Sequence, residues 1–212
     1  MAQFRGWPVE AVEFFEGLEA DNSKPYWTEN KAVYEAKVLA PMEALMAELA
    51  PELGEGRIYR PYRDVRFSAD KSPYKTHIAA HNPSVYINLN SQHLGVGAGL
   101  YMPSADQLER FRAAVAADHS GTELVRIVAA LRRKQIEVGA HETLKTAPRG
   151  YPKDHPRVEL LRQKGITAWK DWPVGAWLGT AAPRRRILDF VGAVVPLRTW
   201  LDSHVGPSES AP

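Results

Sequence analysis

Apolar residues in the first fifty positions recur with the period of an α-helix. Two such runs are separated by the turn-forming sequence D-N-S-K-P at residues 21–25; they are Val9, Val12, Phe15 and Leu18, then Trp27, Val33, Tyr34, Leu45 and Leu49. This spacing predicts two helices, with Pro8 in the first turn of the first one. Pro41 falls inside the second run, so we expect a kink or a break there.

The period changes to two around residue 84. In S-V-Y-I-N-L-N, residues 84–90, the apolar residues share one face and Tyr86, Asn88 and Asn90 share the other. Apolar residues then alternate with glycines in H-L-G-V-G-A-G-L-Y, residues 93–101. We predict an antiparallel hairpin through residues 90–93, with a helix, or less readily a ligand, packed on the glycine face. Tyr62–Phe67 is a candidate neighbouring strand.

Helical patterns return in the second half of the chain. Helices are predicted from Ser104 and from Ser120, each with a capping-box pattern, between Asp154 and Gly165, and from Pro183 to about Leu201, with a strand-like patch within residues 135–147. This order predicts one α+β domain over residues 1–206, with a small, largely antiparallel sheet packed with N-terminal and C-terminal helices. Residues 207–212 are predicted to be a disordered tail.

The composition is that of an ordinary globular protein, with 44% hydrophobic and 25% charged residues in a chain of 212. The absence of cysteine excludes disulfides, thiolate metal sites and cysteine nucleophiles. There is no apolar run long enough to span a membrane and no signal-peptide pattern, so we expect a cytoplasmic protein without membrane contact.

Positive charge is concentrated in one segment of a chain whose net charge is only +2. Residues 57–75, called the basic stretch below, contain six basic and two acidic residues interleaved with tyrosines. Such a focus predicts a site for a phosphate- or carboxylate-bearing ligand. The predicted ligand-binding residues are Arg60, Arg63, Asp64, Arg66, Asp70, Lys71, Tyr74 and Lys75. Asp64 would orient Arg66 if both lie on one face of a strand; the alternative is a structural ion-pair network.

Other motifs are weaker. Residues 68–71, S-A-D-K, lack the companion elements of a serine–lysine acyl-transfer site, and G-V-G-A-G is not a dinucleotide fingerprint. His77 and His81 have the spacing of a helical metal pair, but the nearby prolines leave little room for a helix, so no metal and no cofactor are predicted. The three arginines at 184–186 open a predicted helix, where positive charge needs acidic partners or an anion.

The basic stretch carries the pattern R-x-x-R-D-x-R-F-x-x-D-K-x-x-Y, which is filled by Arg60, Arg63, Asp64, Arg66, Phe67, Asp70, Lys71 and Tyr74. This pattern resembles the bacterial family called domain of unknown function 2461. The segments at residues 144–164 and 27–41 are also similar to that family. The resemblance implies a soluble single-domain protein and has no catalytic residues to carry over, so a function has to be inferred from the residues themselves.

We therefore expect a small anionic ligand to lie between two walls. The basic stretch forms one wall, and the segment at residues 144–164 forms the other through Lys145, Arg149 and Tyr151. Asp154, His155 or His77 is the candidate proton-transfer group, if the protein is an enzyme. The alternatives are a less favoured nucleic-acid-binding module, which would also use the arginines at 184–186, and a purely structural cluster. The sequence predicts no oligomeric state.

Overall fold

The computed structural model describes residues 3–64 and 71–209 and divides the chain into two compact units. The first unit comprises Met1–Val96 and Asp171–Asp189, and the second comprises Gly97–Lys170 and Phe190–Pro212. The helices are α1 (Val9–Ala20), α2 (Lys24–Val33), a π-helical segment (Tyr34–Leu39), α3 (Ala40–Leu53), α4 (Ala105–Ala116), α5 (Asp118–Arg133), α6 (Val158–Leu161), a 3-10 turn (Ala176–Gly179) and α7 (Ala182–His204). The strands are β1 (Arg57–Ile58), β2 (His77–His81), β3 (Tyr86–Asn90), β4 (His93–Leu100), β5 (Glu137–Gly139) and β6 (Ile166–Pro173).

The strands form one six-stranded sheet in the order β1-β2-β3-β4-β6-β5. β1 pairs with β2, β2 with β3, and β5 with β6, each in antiparallel fashion. The predicted α+β class with a largely antiparallel sheet is confirmed. None of the helices in the described parts of the chain is long and apolar enough to cross a membrane. The single domain and its boundaries stay predictions.

The first unit buries the apolar faces of α1 to α3 together with alternate residues of β2 and β3. The fully or almost fully buried side chains include Phe15, Leu18, Leu45, Ile78, Ile87 and Leu89. Pro41 interrupts the second predicted helix as expected. Proline has no N–H to donate, and its ring crowds the preceding turn of a helix. In the structure a π-helical segment, Tyr34–Leu39, directly precedes α3 and separates it from α2. The Trp7 indole N–H donates to the Val38 carbonyl within that turn, at 3.2 Å.

The second unit shows how two similar serine patterns diverge. Ser104 and Gln107 form the predicted capping box at the start of α4. Ser120 does not begin a helix, because α5 already starts at Asp118. The Ser120 hydroxyl instead donates to the Ala114 carbonyl at 2.7 Å, and its own carbonyl accepts from the Trp200 indole at 2.9 Å. The predicted start was therefore wrong by two residues.

The glycine face of β4 is occupied by a neighbouring strand rather than by a helix. A Cβ atom at Gly97 would overlap the indole ring of Trp169 in β6, and one at Gly99 would overlap the Ile166 carbonyl. The expectation of helix packing is therefore wrong at both positions. A large side chain on the next strand can fill a side-chain-free face, and the sequence pattern of β4 does not reveal it.

The structure also corrects the short helix near residue 160. α6 begins at Val158, with Arg157 at its N-cap and no side-chain cap, so Asp154 does not cap it. Hydrogen-bonded turns precede it, in which the backbone N–H of Tyr151 donates to Pro148 and that of His155 donates to Pro152. The sequence patterns did not predict β2, because polar and apolar residues do not alternate in H-I-A-A-H and three successive residues are buried.

The end of the described chain contacts α4. The Glu209 backbone N–H donates to the Asp106 carboxylate at 2.8 Å, and the Glu209 carboxylate lies 3.2 Å from the Arg110 guanidinium. The tail predicted for residues 207–212 stays a prediction.

Candidate functional site

The two ends of the basic stretch are joined by backbone hydrogen bonds. The Arg63 N–H donates to Pro73 at 2.9 Å, the Lys75 N–H donates to Pro61 at 2.7 Å, and Tyr62 and Tyr74 form an antiparallel bridge between them. This pairing brings Arg63 close to Lys75, although twelve positions separate them in the chain. Residues 65–70 lie outside the described residues, and with them Arg66, Asp70 and half of the strand predicted at Tyr62–Phe67.

Asn22, in the short connection between α1 and α2, holds this pair of chain ends in place. Its side-chain amide donates to the Tyr74 carbonyl at 3.1 Å and accepts from the Tyr74 N–H at 3.0 Å. The Arg63 Nε donates to the same carbonyl at 3.0 Å, which orients its guanidinium. The basic stretch is thus attached to the start of α2, where Ser23 is the N-cap.

Beneath the stretch lies a cluster of aromatic rings. Tyr74 stacks on Trp27 with the ring centroids 4.4 Å apart and the planes at 7°, while Tyr34 and Tyr62 approach the same indole at 4.9 and 6.0 Å. Burial raises the pKa of Tyr34 to about 12, with smaller contributions from Glu43 and Tyr62. Burial also raises the pKa of Tyr74, again with a contribution from Tyr62. Both phenols stay neutral at physiological pH, and they serve as packing surfaces.

The adjoining strands β2 and β3 present a polar face. In their register His77 lies opposite Asn90, Ala79 opposite Asn88, and His81 opposite Tyr86. These residues alternate with the buried Ile78, Ala80, Ile87 and Leu89, so they share the face away from that apolar layer. We call His77, Ala79, His81, Tyr86, Asn88 and Asn90 the polar face.

Positive charge surrounds one edge of the polar face. Burial lowers the pKa of Lys75, and the nearby Arg60 and Arg63 lower it further. Burial likewise lowers the pKa of His77 below its ordinary value of 6.5, followed in size by the effects of Lys75, Arg63 and His93. His77 is therefore mainly neutral at pH 7, while the Lys75 and Arg63 side chains beside it are cationic. Among the described residues, no carboxylate pairs with the Lys75 ammonium.

The ring of Tyr59 lies next to the Lys75 ammonium. Its backbone N–H donates to the Ala79 carbonyl at 2.8 Å, which extends the sheet edge by one residue beyond β1. The Lys75 Nζ lies 5.5 Å from the centre of the Tyr59 ring, and the His81 ring lies 5.2 Å from it. The electron-rich face of a phenol attracts a cation at this distance. Tyr59 thus joins the basic stretch to the polar face.

Two buried polar atoms of the polar face have no hydrogen-bond partner in the part of the chain that the structure describes. They are the Nδ1 of His81 and the Oδ1 of Asn88. Their neighbour Asn90 differs, because its Oδ1 accepts from the backbone N–H groups of Gln92 and His93, both at 2.8 Å. Since buried polar atoms in native proteins are nearly always partnered, these two atoms call for an explanation.

The other predicted residues of the basic stretch differ in exposure. Arg60, Asp64 and Lys71 are exposed, whereas Arg63 and Lys75 are half-buried. The structure thus brings Arg63, Lys75 and His77 together within the first unit. The assignment of the whole predicted set to a ligand stays a prediction.

The second predicted wall belongs to the second unit. Lys145, Arg149 and Asp154 are exposed there, while Tyr151 and His155 are half-buried. The Nδ1 of His155 accepts from the Arg157 N–H at 3.0 Å, so one of its two ring nitrogens is already engaged. The two-walled site stays a prediction.

Arg157 makes the structural contacts of this motif. Its guanidinium donates to the carbonyls of Val115 and Ala116, at 2.6 and 2.7 Å, and pairs with Asp118 at 3.1 Å. These bonds satisfy the last carbonyls of α4 and tie them to the start of α5. The similarity of residues 144–164 to the family thus includes a residue that holds helices together.

The arginines that open α7 have their own partners within the first unit. Arg184 lies 3.3 Å from the Glu48 carboxylate and 2.6 Å from that of Glu52. The Arg186 guanidinium lies over the Trp177 ring at 3.9 Å. The expected acidic partners of this helix start are confirmed for Arg184. These contacts leave Arg185 as the exposed member of the three.

Sequence reasoning did not connect Tyr59, His81 and Asn88 with the basic stretch. Alternation had placed Asn88 on one face with Tyr86 and Asn90, but nothing in the pattern connected that face to the basic stretch. The connection depends on β2, whose sequence has no strand signal. An unpartnered buried atom is visible only in three dimensions.

A search of curated proteins found no match. The family model described as conserved hypothetical protein (DUF2461) matches residues 10–200, which include the whole sheet and all of the helices except the first residue of α1 and the last four of α7. The chain therefore belongs to the DUF2461 family.

Proposed function

We propose that the chain binds a small phosphate- or carboxylate-bearing molecule at the edge of the polar face, next to Arg63, Lys75 and His77. The observation that carries this proposal is the environment of Lys75. Its ammonium is partly desolvated and lies among other cations, and its pKa is lowered as a result. An anion would relieve this repulsion, because it pairs with the ammonium and with the guanidinium of Arg63 at the same time.

His77 supplies the chemistry that such a site could perform. A neutral imidazole beside a bound anion can accept a proton from the ligand, and the anion would in turn stabilise the imidazolium. Burial, with a smaller contribution from the local cations, keeps His77 unprotonated before the ligand arrives. We therefore propose His77 as the general base if a reaction takes place, ahead of Asp154 and His155.

The test is calorimetric titration of the purified chain with inorganic phosphate, sulfate, citrate and a simple sugar phosphate, at 50 and 200 mM NaCl. We expect at least one anion to bind, and Lys75→Met and Arg63→Met each to weaken it about tenfold or more, since a charged hydrogen bond contributes about 1.5–3 kcal/mol. Lys37→Met is the matched control, because Glu10 already neutralises that lysine at 3.3 Å. Equal affinities in all three variants would refute the proposal.

Salt dependence separates a small-anion site from the nucleic-acid alternative. A single anion in a partly buried site should lose only a fewfold in affinity between the two salt concentrations. A nucleic-acid surface that neutralises six to ten phosphates would lose about 10³–10⁵. The contacts of Arg184 and Arg186 within the first unit favour the small anion, because these cations already have partners.

A further inference from the structure

We infer that His93 is the second acid–base residue of this site, and that His77 and His93 together cleave a phosphodiester with water. The inference rests on the proposed function and deepens it, because it names the substrate class and the reaction. It arises from a separate observation, a line of side chains that we call the histidine row: His77, Asn90, His93 and Asp171. All four residues belong to the first unit.

The histidine row lies where three neighbouring strands begin or end. His77 begins β2 and lies directly opposite Asn90, the last residue of β3, and His93 begins β4. The Asn90 Nδ2 lies 3.3 Å from the His93 Nε2, so the His93 ring is on the polar face too. Adjacent strands are about 4.8 Å apart, which places the backbones of the two histidines about 10 Å apart. A phosphate group with a hydrogen bond of about 2.8 Å on either side bridges most of that separation.

Both histidines have side chains that solvent can reach. The side chains of His93 and Asp171 are 29% and 43% exposed. His77 is half-buried, and neither of its ring nitrogens bonds to a described residue or is fully buried. The histidine row differs in this respect from the Asn88 Oδ1 and the His81 Nδ1, which are fully buried. A ligand can therefore contact both imidazoles without opening the sheet.

The Nε2 of His93 has a suitable partner in either protonation state. The Asn90 amide has a fixed orientation, because its Oδ1 accepts from two backbone N–H groups, so its Nδ2 is the donor to a neutral ring. In the protonated ring the Nε2–H can donate to the Asp171 carboxylate, 3.5 Å away. A carboxylate in this position orients an imidazole and stabilises the imidazolium. The His93 Nδ1, which bonds to no described residue, can then transfer its proton while Asp171 retains the Nε2–H.

His77 has different surroundings, which suit it to accept a proton. Burial lowers its pKa, and the effects of Lys75, Arg63 and His93 add to that of burial. The titratable groups next to His93 are Asp171 and His77 itself. An imidazole beside cations and a second imidazole beside a carboxylate form the two halves of an acid–base pair. His77 is therefore the base and His93 the acid.

A base and an acid on either side of a phosphate match an in-line displacement at phosphorus. The water oxygen bonds to phosphorus as His77 accepts one of its protons, and His93 gives a proton to the oxygen of the P–O bond that breaks. The products are a phosphomonoester and an alcohol. Lys75 and Arg63 stabilise the charge that develops on the other phosphate oxygens. A diester requires both histidines because its alkoxide departs with a proton, whereas a free carboxylate has no group to release.

The experiment compares two diesters in the presence of EDTA: ethylene phosphate, which releases an alkoxide, and methyl 4-nitrophenyl phosphate, whose nitrophenolate leaves without a proton. We expect the wild-type chain to hydrolyse both. His77→Gln should slow both reactions about 100-fold or more, the usual contribution of a general base. His93→Gln should slow only the hydrolysis of ethylene phosphate by that factor. His119→Gln, at an exposed position, is the control and should match wild type on both diesters.

The pH dependence of kcat/KM provides a second measurement that a merely structural role of His93 would not change. For ethylene phosphate we expect a bell-shaped profile, because the base must be neutral and the acid protonated. His93→Gln should remove the decline at high pH and keep the decline at low pH. An unchanged high-pH decline in this variant would exclude His93 as the acid.

The possible failures can be told apart. If inorganic phosphate binds but neither diester is hydrolysed, the inference is wrong and the anion site stands. If inorganic phosphate does not bind either, the proposed function fails as well. Equal losses on both diesters in His93→Gln would contradict the role of acid. If His93→Gln does not fold, Asp171→Asn replaces it, and it should slow the hydrolysis of ethylene phosphate more than that of methyl 4-nitrophenyl phosphate. An unchanged ratio of the two rates in Asp171→Asn would overturn the inference.

Discussion

His77 is half-buried, and burial, followed by the neighbouring Lys75, Arg63 and His93, opposes a positive charge on its ring. Its pKa therefore lies below 6.5 in the folded chain, whereas the unfolded chain returns it to that value. The residue is a neutral base in positive surroundings. The protonation of His77 is therefore an informative property to measure.

Protonation of His77 should reduce stability in mildly acidic solution. As the pH falls through 6.5, the unfolded chain takes up a proton that the folded chain does not, so the free energy of unfolding decreases with falling pH in that window. His77→Gln should flatten the profile between pH 6.5 and 5, as measured by urea unfolding. His119→Gln, at an exposed position, is the control and should follow wild type. An identical slope in wild type and His77→Gln would contradict the lowered pKa.

The stability of a variant at Asp64 provides a second test that concerns a single residue. The sequence left open whether its carboxylate belongs to a buried ion pair or only orients a neighbouring arginine. Its side chain is exposed, and exposed ion pairs contribute about 0–1 kcal/mol. We therefore expect Asp64→Asn to lower the free energy of unfolding by less than about 1 kcal/mol in denaturant titrations. A loss of about 3–5 kcal/mol would show a buried pair and make the cluster structural.

Among the secondary-structure elements, the short connection between α1 and α2 does more than link two helices. The Asn22 side-chain amide bonds to the Tyr74 backbone as a neighbouring strand would. It donates one hydrogen bond to the Tyr74 carbonyl and accepts one from the Tyr74 N–H. The stacking of Tyr74 on Trp27 adds a second attachment to α2. The basic stretch thus depends on the first helices for the position of Arg63 and Lys75, and a substitution at Asn22 tests that dependence.

Asn22→Ala removes both bonds and should lower the free energy of unfolding by about 1–3 kcal/mol, because the Tyr74 backbone groups lose their partner. Asn22→Asp keeps the acceptor for the Tyr74 N–H and should fall between Asn22→Ala and wild type. Chemical denaturation monitored by tryptophan fluorescence provides the measurement. Asn30→Ala is the control: among the described residues its amide bonds to Tyr26 in the same helix, and alanine is a better helix former. Equal losses at positions 22 and 30 would refute the anchoring role.

For the whole molecule, three elements run through both compact units. The boundaries after Val96, Lys170 and Asp189 fall inside β4, β6 and α7. Unfolding of one unit would have to break these elements in the middle, where the backbone hydrogen bonds of a strand or helix are cooperative. These three shared elements favour cooperative unfolding, which is the behaviour expected of the single domain that the sequence predicts.

We expect the chain to unfold in one cooperative transition, with the same midpoint by far-UV circular dichroism and by tryptophan fluorescence. Trp7 and Trp27 report on the first unit and Trp200 on the second. Single-tryptophan variants that keep Trp27 or Trp200 make the comparison direct. Two separate midpoints would show that the units unfold independently and that the prediction of one domain is wrong.

Local patterns in the sequence were sufficient for most of the helices and for the hairpin. The spacing of Val9 to Leu18, the alternation in residues 84–90 and the Ser104 capping box each act over a few residues, so each can be read without knowing the rest of the chain. The same holds for the break at Pro41, which depends on the missing N–H of one residue. The concentration of charge in residues 57–75 is likewise a property of sequence alone.

Tertiary structure decided which residues meet. The pairing of Arg63 with the chain near Lys75, the register that sets Asn88 beside Ala79, and the position of Trp169 over Gly97 all join residues distant in sequence. The lowered pKa of His77 follows from burial and from charges brought close by folding, and neither can be calculated from neighbours in the chain. The sequence by itself determined the elements and the charge, because those depend on short-range sterics, periodicity and composition. The site required the fold, because desolvation and long-range pairing exist only once the chain has packed.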